Sequence, residues 1–212
     1  MRQLGYLESA RLARRYGFDV VRGGLAGNVP EARKLASQLG FPLVIKISSQ
    51  EIIHKAAAGG VVVGIRNQKE LVRGYEKVMK AARAFPKARL EGVIVQEMAQ
   101  GFELIIGAKR DETFGPVIIF GSGGLLAEEL NDIQLRILPV GNNELAKMIS
   151  QAKAFGAVKK LGVDAEKLRG RLMAMSKLIT KEKTVKEIDI NPLIVNTKNI
   201  IAADIRVISY GP

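Results

Sequence analysis

The sequence predicts an α+β chain with two sheet-bearing lobes. Three observations carry that reading. Apolar runs of strand length recur in both halves of the chain, and Pro42–Ile47 is continuous rather than alternating, as in a buried strand. Segments with helical apolar spacing lie between these runs and are closed by Gly or Pro. No repeat, low-complexity tract or linker interrupts the pattern, and 212 residues with 47% hydrophobic content suffice to bury a sizeable core.

In chain order, Leu4, Leu7, Ala10 or Leu12, and Ala13 give helical spacing from Leu4 to Tyr16, with Gly17 as the stop. A short strand is expected at Phe18–Val21. Pro30 stands just inside a helix at 30–39 that Gly40 ends. Strands follow at Pro42–Ile47 and Val61–Ile65, then a helix at Gln68–Phe85 closed by Pro86. Beyond it the pattern becomes sheet-rich: Gly92–Gln96, Glu103–Arg110 and Pro116–Phe120 read as strands, followed by the cluster Gly121-Ser122-Gly123-Gly124. Helices are expected at 143–155 and 164–181. Strand-like runs at Val185–Ile190, Leu193–Val195 and Ile200–Ile208 close the chain, the last two joined by a turn at Thr197-Lys198-Asn199. The lobe boundary falls near Gln96–Gly101, dividing the chain into 1–95, with the leading helix, and 96–212.

The chain has no cysteine, which excludes disulfides, thiolate metal sites and cysteine nucleophiles. Met1-Arg2-Gln3-Leu4 opens no apolar signal region and no run of 18 apolar residues occurs, so a soluble, cytoplasmic protein without membrane contact is expected. The net charge of +12 admits nucleic acid as a partner. However, the 33 Lys and Arg are spread along the whole chain, no block of five like charges exists, and the aromatics amount to seven Phe and four Tyr. Attraction for polyphosphate ligands or an acidic protein partner accounts for the charge better.

Four places could carry chemistry. His54, the sole histidine, follows an apolar stretch and precedes Ala56-Ala57-Ala58-Gly59-Gly60. An imidazole on such a loop could move and carry a transferable group, although on the loop alone a plain surface residue is the simpler reading. Lys46 lies within an apolar strand. Either it is buried beside an anion such as phosphate, or alternation turns it to solvent, and the two readings stand level. Gln96-Glu97-Met98-Ala99 ends a strand; its backbone groups could read an adenine edge, with Glu103 accepting from ribose hydroxyls, but without further context an ordinary strand–loop–strand is the preferred reading. Lastly, Asp189 and Asn191 are two apart and share a strand face, and Asp204 can come alongside across the hairpin. Such oxygens suit magnesium, against turn chemistry at Asn191-Pro192 as the plainer account. P-loop, dinucleotide-binding and nucleophile-elbow motifs are absent.

Taken in order, these segments resemble one family. Pro42-Leu43-Val44-Ile45-Lys46-Ile47, Ile52-Ile53-His54-Lys55 with Gly59-Gly60-Val61, Gly92–Met98, Glu103–Asp111, Phe114–Val117, Phe120–Gly124, Glu128, Arg136, Pro139 and Asp189-Ile190-Asn191-Pro192-Leu193 are similar to the small β subunit of the ADP-forming acyl-CoA synthetases. The resemblance implies an ATP-grasp fold with a nucleotide cleft between two lobes, ATP or ADP and magnesium as cofactors, and a CoA-binding α subunit as partner. It implies the reaction acyl-CoA + ADP + phosphate ⇌ acid + CoA + ATP. His54 would accept a phosphoryl group from the α subunit and pass it to ADP. By the same resemblance Lys46 would bind phosphate, Gly59 and Gly60 would be cofactor-binding, and Gln96 to Ala99 would hold adenine. Glu103 would hold ribose, Asn191 and Asp204 would bind magnesium, and Asp189 would orient the imidazole. The family often carries a hydroxyl and an acid where this chain has Ala56 and Ala57, which bears on how the loop is anchored.

Two rival readings are distinguishable. A stand-alone ATP-grasp ligase working through an acyl phosphate would not need His54. A basic nucleic-acid-binding protein on the same fold would show steep salt dependence and no nucleotide affinity.

Overall fold

The computed structural model describes residues 1–52, 55–124 and 131–211. Its helices begin where local capping dictates. Before α2 (Val29–Leu39), Asn28 is extended and its Oδ1 accepts the Glu31 N–H at 2.9 Å, while Glu31 reaches back to the Gly27 N–H at 2.7 Å. Asn67 and Glu70 repeat the arrangement before α3 (Gln68–Ala82), with the Glu70 N–H on Asn67 Oδ1 at 2.9 Å. Gly40 ends α2 with φ of 82°, a conformation glycine adopts at no steric cost. Among the described residues no helix is long and apolar enough to cross a membrane.

The chain divides into two compact units. One comprises Gly5–Glu8 and Val21–Met98. Its four-stranded antiparallel sheet runs β3 (Gly23–Ala26), β6 (Leu90–Glu97), β4 (Leu43–Ser49), β5 (Val61–Ile65). Leu43, Ile45, Ile47, Val93 and Val95 are buried on the side that packs with Leu71 and Val78 of α3 and Ala32 and Ala36 of α2. The alternate residues Val44, Lys46, Ser48, Ile94 and Gln96 therefore point to the other side of the sheet.

The other unit comprises Met1–Leu4, Ser9–Val20 and Ala99–Pro212. Its eight-stranded sheet has the central order β1 (Arg2–Gln3), β12 (Ile205–Ser209), β10 (Val185–Val195), β7 (Phe102–Asp111), β8 (Gly115–Ser122), β9 (Ile133–Ile137). Strand β11 (Ile200–Ala202) pairs with β10, and β2 (Asp19–Val20) pairs with β11. Ile106, Ala108, Ile118 and Phe120 of the sheet bury against Leu145 and Met148 of α4 (Asn142–Gln151), Val158 of α5 (Ala154–Lys160) and Leu172, Met175 and Leu178 of α6 (Ala165–Lys181). Most of the leading helix α1 (Tyr6–Arg15) belongs here rather than to the 1–95 lobe, because Leu12 and Ala13 bury in this core. Arg2 and Gln3 also pair with the last strand, opposite Ser209 and Ile208.

The helix expected at 143–155 is two helices, α4 and α5, and a buried acid accounts for the break. Asp132 is 1% exposed and accepts from the Lys153 N–H at 2.7 Å, the Ala154 N–H at 2.9 Å and the Ser122 hydroxyl at 2.7 Å. Ala152 turns extended just before these amides, so α5 starts on the carboxylate. Burial opposes the charge, but the hydrogen bonds from Ser122, Ala154 and Lys153 outweigh it and hold the carboxyl below the ordinary range. A depressed folded-state value gives stability that is complete above the ordinary carboxylate pKa and is lost as pH falls through the folded value. Asp132→Asn is expected to lower unfolding stability by roughly 2–4 kcal/mol at neutral pH. The difference from the native chain should shrink below about pH 4, as read by urea titration at both pH values.

Candidate functional site

Strand β10 runs between β7 and β12. Ile188 and Ile190 point into the core, so Glu187, Asp189 and Asn191 alternate onto the opposite face. Arg206 of β12 lies across from Asp189 in the ladder, and its Nε donates to Asp189 Oδ1 at 2.8 Å. The same guanidinium pairs with Glu187, so one cation spans two carboxylates. The Asp189 side chain is 22% exposed. Burial pushes its carboxyl above the ordinary range; Arg206 opposes that push, while Glu187 and Asp204 add to it.

The ladder to β7 slips between Ile190 and Leu193, where Pro192 has no N–H to donate. At that irregularity the Asn191 N–H donates to the Asp204 carbonyl at 3.1 Å and the Ala203 N–H to the Pro192 carbonyl at 3.0 Å, which sets Asn191 and Asp204 side by side. The Asn191 Oδ1 accepts the Gly124 N–H at 2.9 Å. Gly124 has φ of 61°, and a Cβ there would lie 1.7 Å from Glu103 Oε2, so no other residue fits without displacing that carboxylate. The structure thus brings Glu103, Asn191 and Asp204 together at the register slip within β10, with Asp189 two residues from Asn191.

The donor chemistry at Asn191 and Asp204 fits magnesium. Both offer hard oxygens, and among the described residues no group of three His, Asp or Glu side chains forms a complete cage. An ion that keeps its waters and shares nucleotide phosphates needs only such a partial set.

In the other unit Lys46 is 6% exposed, which overturns the solvent-facing alternative. It stands between Ile94 of β6 and Val61 of β5 in the ladder, on the same side as buried Gln96. At the end of β6 the Glu97 N–H donates to the Arg22 carbonyl at 2.9 Å and the Met98 N–H to the Pro42 carbonyl at 3.1 Å. Two of the backbone donors expected to read an adenine edge are thereby used within the unit. Arg22 also pairs with the Glu97 carboxylate at 3.1 Å.

His54 lies outside the described residues, as does Glu128. The turn after His54 is anchored through its backbone. The Gly60 N–H donates to the Lys55 carbonyl at 2.8 Å and the Gly59 N–H to the Ala56 carbonyl at 3.0 Å, while the Ile47 N–H donates to the Gly60 carbonyl at 2.8 Å. Gly59 takes φ of 69°, and a Cβ on Gly60 would lie 2.7 Å from Ile47 Cγ2. Ala56 and Ala57 are exposed, so the turn is held by its glycines and not by side chains at those positions.

Two residues of this site were not singled out from the sequence, Glu187 and Arg206. Both carried a signal of the kind that marked Lys46: a charge set among apolar strand residues, here beside Ile188 and between Ile205 and Val207.

A family profile described as the ATP-grasp domain matches residues 1–208. The β subunit of acetate–CoA ligase (ADP-forming) I from Pyrococcus furiosus is 37% identical over 207 residues, covering 95% of this chain and 89% of that subunit. The acetate–CoA ligase (ADP-forming) I of Archaeoglobus fulgidus is 36% identical, but this chain spans only 29% of its length. The acetyl-coenzyme A synthetase 1 of Ca. Korarchaeum cryptofilum, solved with coenzyme A and Ca-AMPCP, superposes with a TM-score of 0.90 at 33% identity, over 99% of this chain and 94% of that one. Another structure of that enzyme, with coenzyme A and Mg-AMPPCP, has its phosphohistidine segment pointing towards the nucleotide binding site; it matches with a TM-score of 0.77 at 31% identity, over 99% of this chain and 93% of that one.

Proposed function

The chain belongs to the ATP-grasp family and, within it, to the β subunits of the ADP-forming acetate–CoA ligases, and from that premise we propose that it binds ADP and phosphorylates it through His54. The complete reaction is acyl-CoA + ADP + phosphate ⇌ acid + CoA + ATP. A CoA-binding α subunit cleaves the thioester with phosphate, passes through an acyl phosphate and becomes phosphorylated on its own histidine. The neutral His54 imidazole attacks that phosphorus and the partner's P–N bond breaks. A terminal oxygen of ADP then attacks the phosphorus on His54, the second P–N bond breaks, and ATP leaves with the imidazole restored.

The observation that carries this reading is the grouping on β10. Asp189, held by Arg206, shares one strand face with Asn191, and Asn191 is fixed against Asp204 and Gly124. An ionised Asp189 accepts the imidazole N–H and presents the opposite nitrogen for phosphoryl transfer. Lys46 is buried, and its charge would pair with phosphate oxygens. Asn191 and Asp204 would hold magnesium, which when bound offsets the charge of the nucleotide phosphates. Glu103 would accept from ribose hydroxyls, and the segment Gln96 to Ala99, two of whose backbone donors are used within the unit, would lie against adenine.

The test is reconstitution. The purified chain should bind ADP by calorimetry and form no ATP alone. Adding the α subunit encoded in the same genome should yield ATP from acetyl-CoA, ADP and phosphate. Turnover by the chain alone would instead identify a stand-alone ligase.

A further inference from the structure

Strand β9 is amphipathic in the opposite sense to an ordinary edge strand. Its polar residues face the helices: Arg136 Nε donates to Glu144 at 2.8 Å, the same guanidinium bonds the Gln151 side chain, and Gln134 Nε2 lies 3.5 Å from the Gln151 carbonyl. Its apolar residues face outward: Ile133 is 42% exposed, Leu135 51% and Ile137 49%. Edge strands normally turn polar residues to solvent and bury apolar ones. Three large aliphatic side chains within five residues form a patch of the kind that marks an interface.

The patch is continuous with the candidate site. Leu135 pairs with Ile119, Ile119 with Gly107, Gly107 with Asp189 and Asp189 with Arg206, so one cross-strand row runs from the patch to the catalytic cluster. The next row joins Ile137, Val117, Lys109 and Glu187. Leu135 lies three strand spacings from Asp189, about 14 Å. Gly107, directly beside Asp189, adds no side chain to the path. A protein that approaches Asp189 over this face from the β9 edge meets the β9 strip first.

We propose that the outward strip of β9, Ile133, Leu135 and Ile137, is a docking surface for the CoA-binding α subunit, an inference that rests on the reading of the chain as a synthetase β subunit. Two observations favour that occupant over a second copy of this chain. The row from the strip ends at the cluster the α subunit must serve. The exposed Lys109, two strands from the strip in the row of Ile137, and the net charge of +12 also favour an acidic surface around the apolar contact and disfavour another basic chain.

Binding of the α subunit encoded in the same genome to immobilised full-length chain tests this. Leu135→Asp is expected to weaken binding at least about thirtyfold and Leu135→Ala several-fold, with the thermal midpoint and ADP affinity unchanged because the side chain is exposed. Equal α-subunit binding by the native chain and both variants would overturn the inference while leaving the synthetase reading intact. No binding or turnover by the native chain with the α subunit would overturn both. A native dimer that Leu135→Asp converts to monomer, with α binding unchanged, would assign the strip to self-association and overturn the inference.

Discussion

Replacing His54 with alanine is expected to reduce ATP formation from acetyl-CoA, ADP and phosphate by the assembled enzyme roughly 10⁴-fold or more, the scale seen when a covalent nucleophile is removed. The size follows from the absence of a substitute in this chain: His54 is the only histidine and there is no cysteine. Affinity for ADP and the thermal midpoint should barely move. The turn that follows is held by Gly59 and Gly60 through backbone hydrogen bonds, none of which involves the imidazole. Single-turnover measurements with the α subunit and calorimetry with ADP separate the two quantities. Full turnover by the His54→Ala enzyme would place the chemistry elsewhere.

Asp189→Asn is the second large effect. Asparagine keeps an oxygen for the Arg206 guanidinium but loses the charge that stabilises an imidazolium. We expect kcat to fall about 10²- to 10³-fold, with little change in the KM for ADP. Stability should respond in the opposite direction. Burial raises the folded-state pKa of Asp189 above its ordinary value, against the pull of Arg206. Its favourable contribution is therefore complete below the ordinary carboxylate pKa and is lost as pH rises through the raised value. Above that value the contribution is gone, so Asp189→Asn should leave unfolding stability at neutral pH unchanged or raise it. A variant both inactive and strongly destabilised would make Asp189 a structural residue. Lost activity with retained stability would mark a residue kept for its chemistry.

Much of this architecture is legible in the sequence because its signals are local. Asn28 and Asn67, each followed three residues later by Glu, start α2 and α3, and Gly40 stops α2. The continuous apolar run around Lys46 forms a buried strand as its composition requires. The departures have non-local causes. The expected 143–155 helix breaks at Ala152 because Asp132, far back in the chain, captures the next two amides. Most of the helix expected to lead the 1–95 lobe, from Ser9 on, joins the other unit because Leu12 and Ala13 bury in its core. The run Ile200–Ile208 divides into β11 and β12 at Ala203–Asp204, where the chain bonds to Asn191 and Pro192. Strand β9 did carry the period-two signal in Ile133, Leu135 and Ile137, but its apolar side faces outward, against the usual sense.

At the candidate site, the pairing of Asp189 with Asn191 on one face follows from strand geometry alone. The contact of Asn191 with Gly124 does not, since a register slip and a left-handed glycine set it. Arg206 is not legible from the sequence because a single charged residue in a strand does not announce which carboxylate it will meet 17 positions away. The missing hydroxyl and acid at Ala56 and Ala57 leave the anchoring of the loop open from the sequence alone. The glycines that follow supply backbone anchoring instead.

On the proposed mechanism this chain carries the phosphoryl group on His54. The decisive experiment is incubation of the purified chain with γ-labelled ATP and magnesium, followed by quenching in alkali. Close to one phosphate per chain is expected, stable in alkali and labile in acid, discharged by ADP with formation of labelled ATP and absent from His54→Ala. No incorporation into a chain that binds ATP, or undiminished labelling of His54→Ala, would rule out the phosphohistidine.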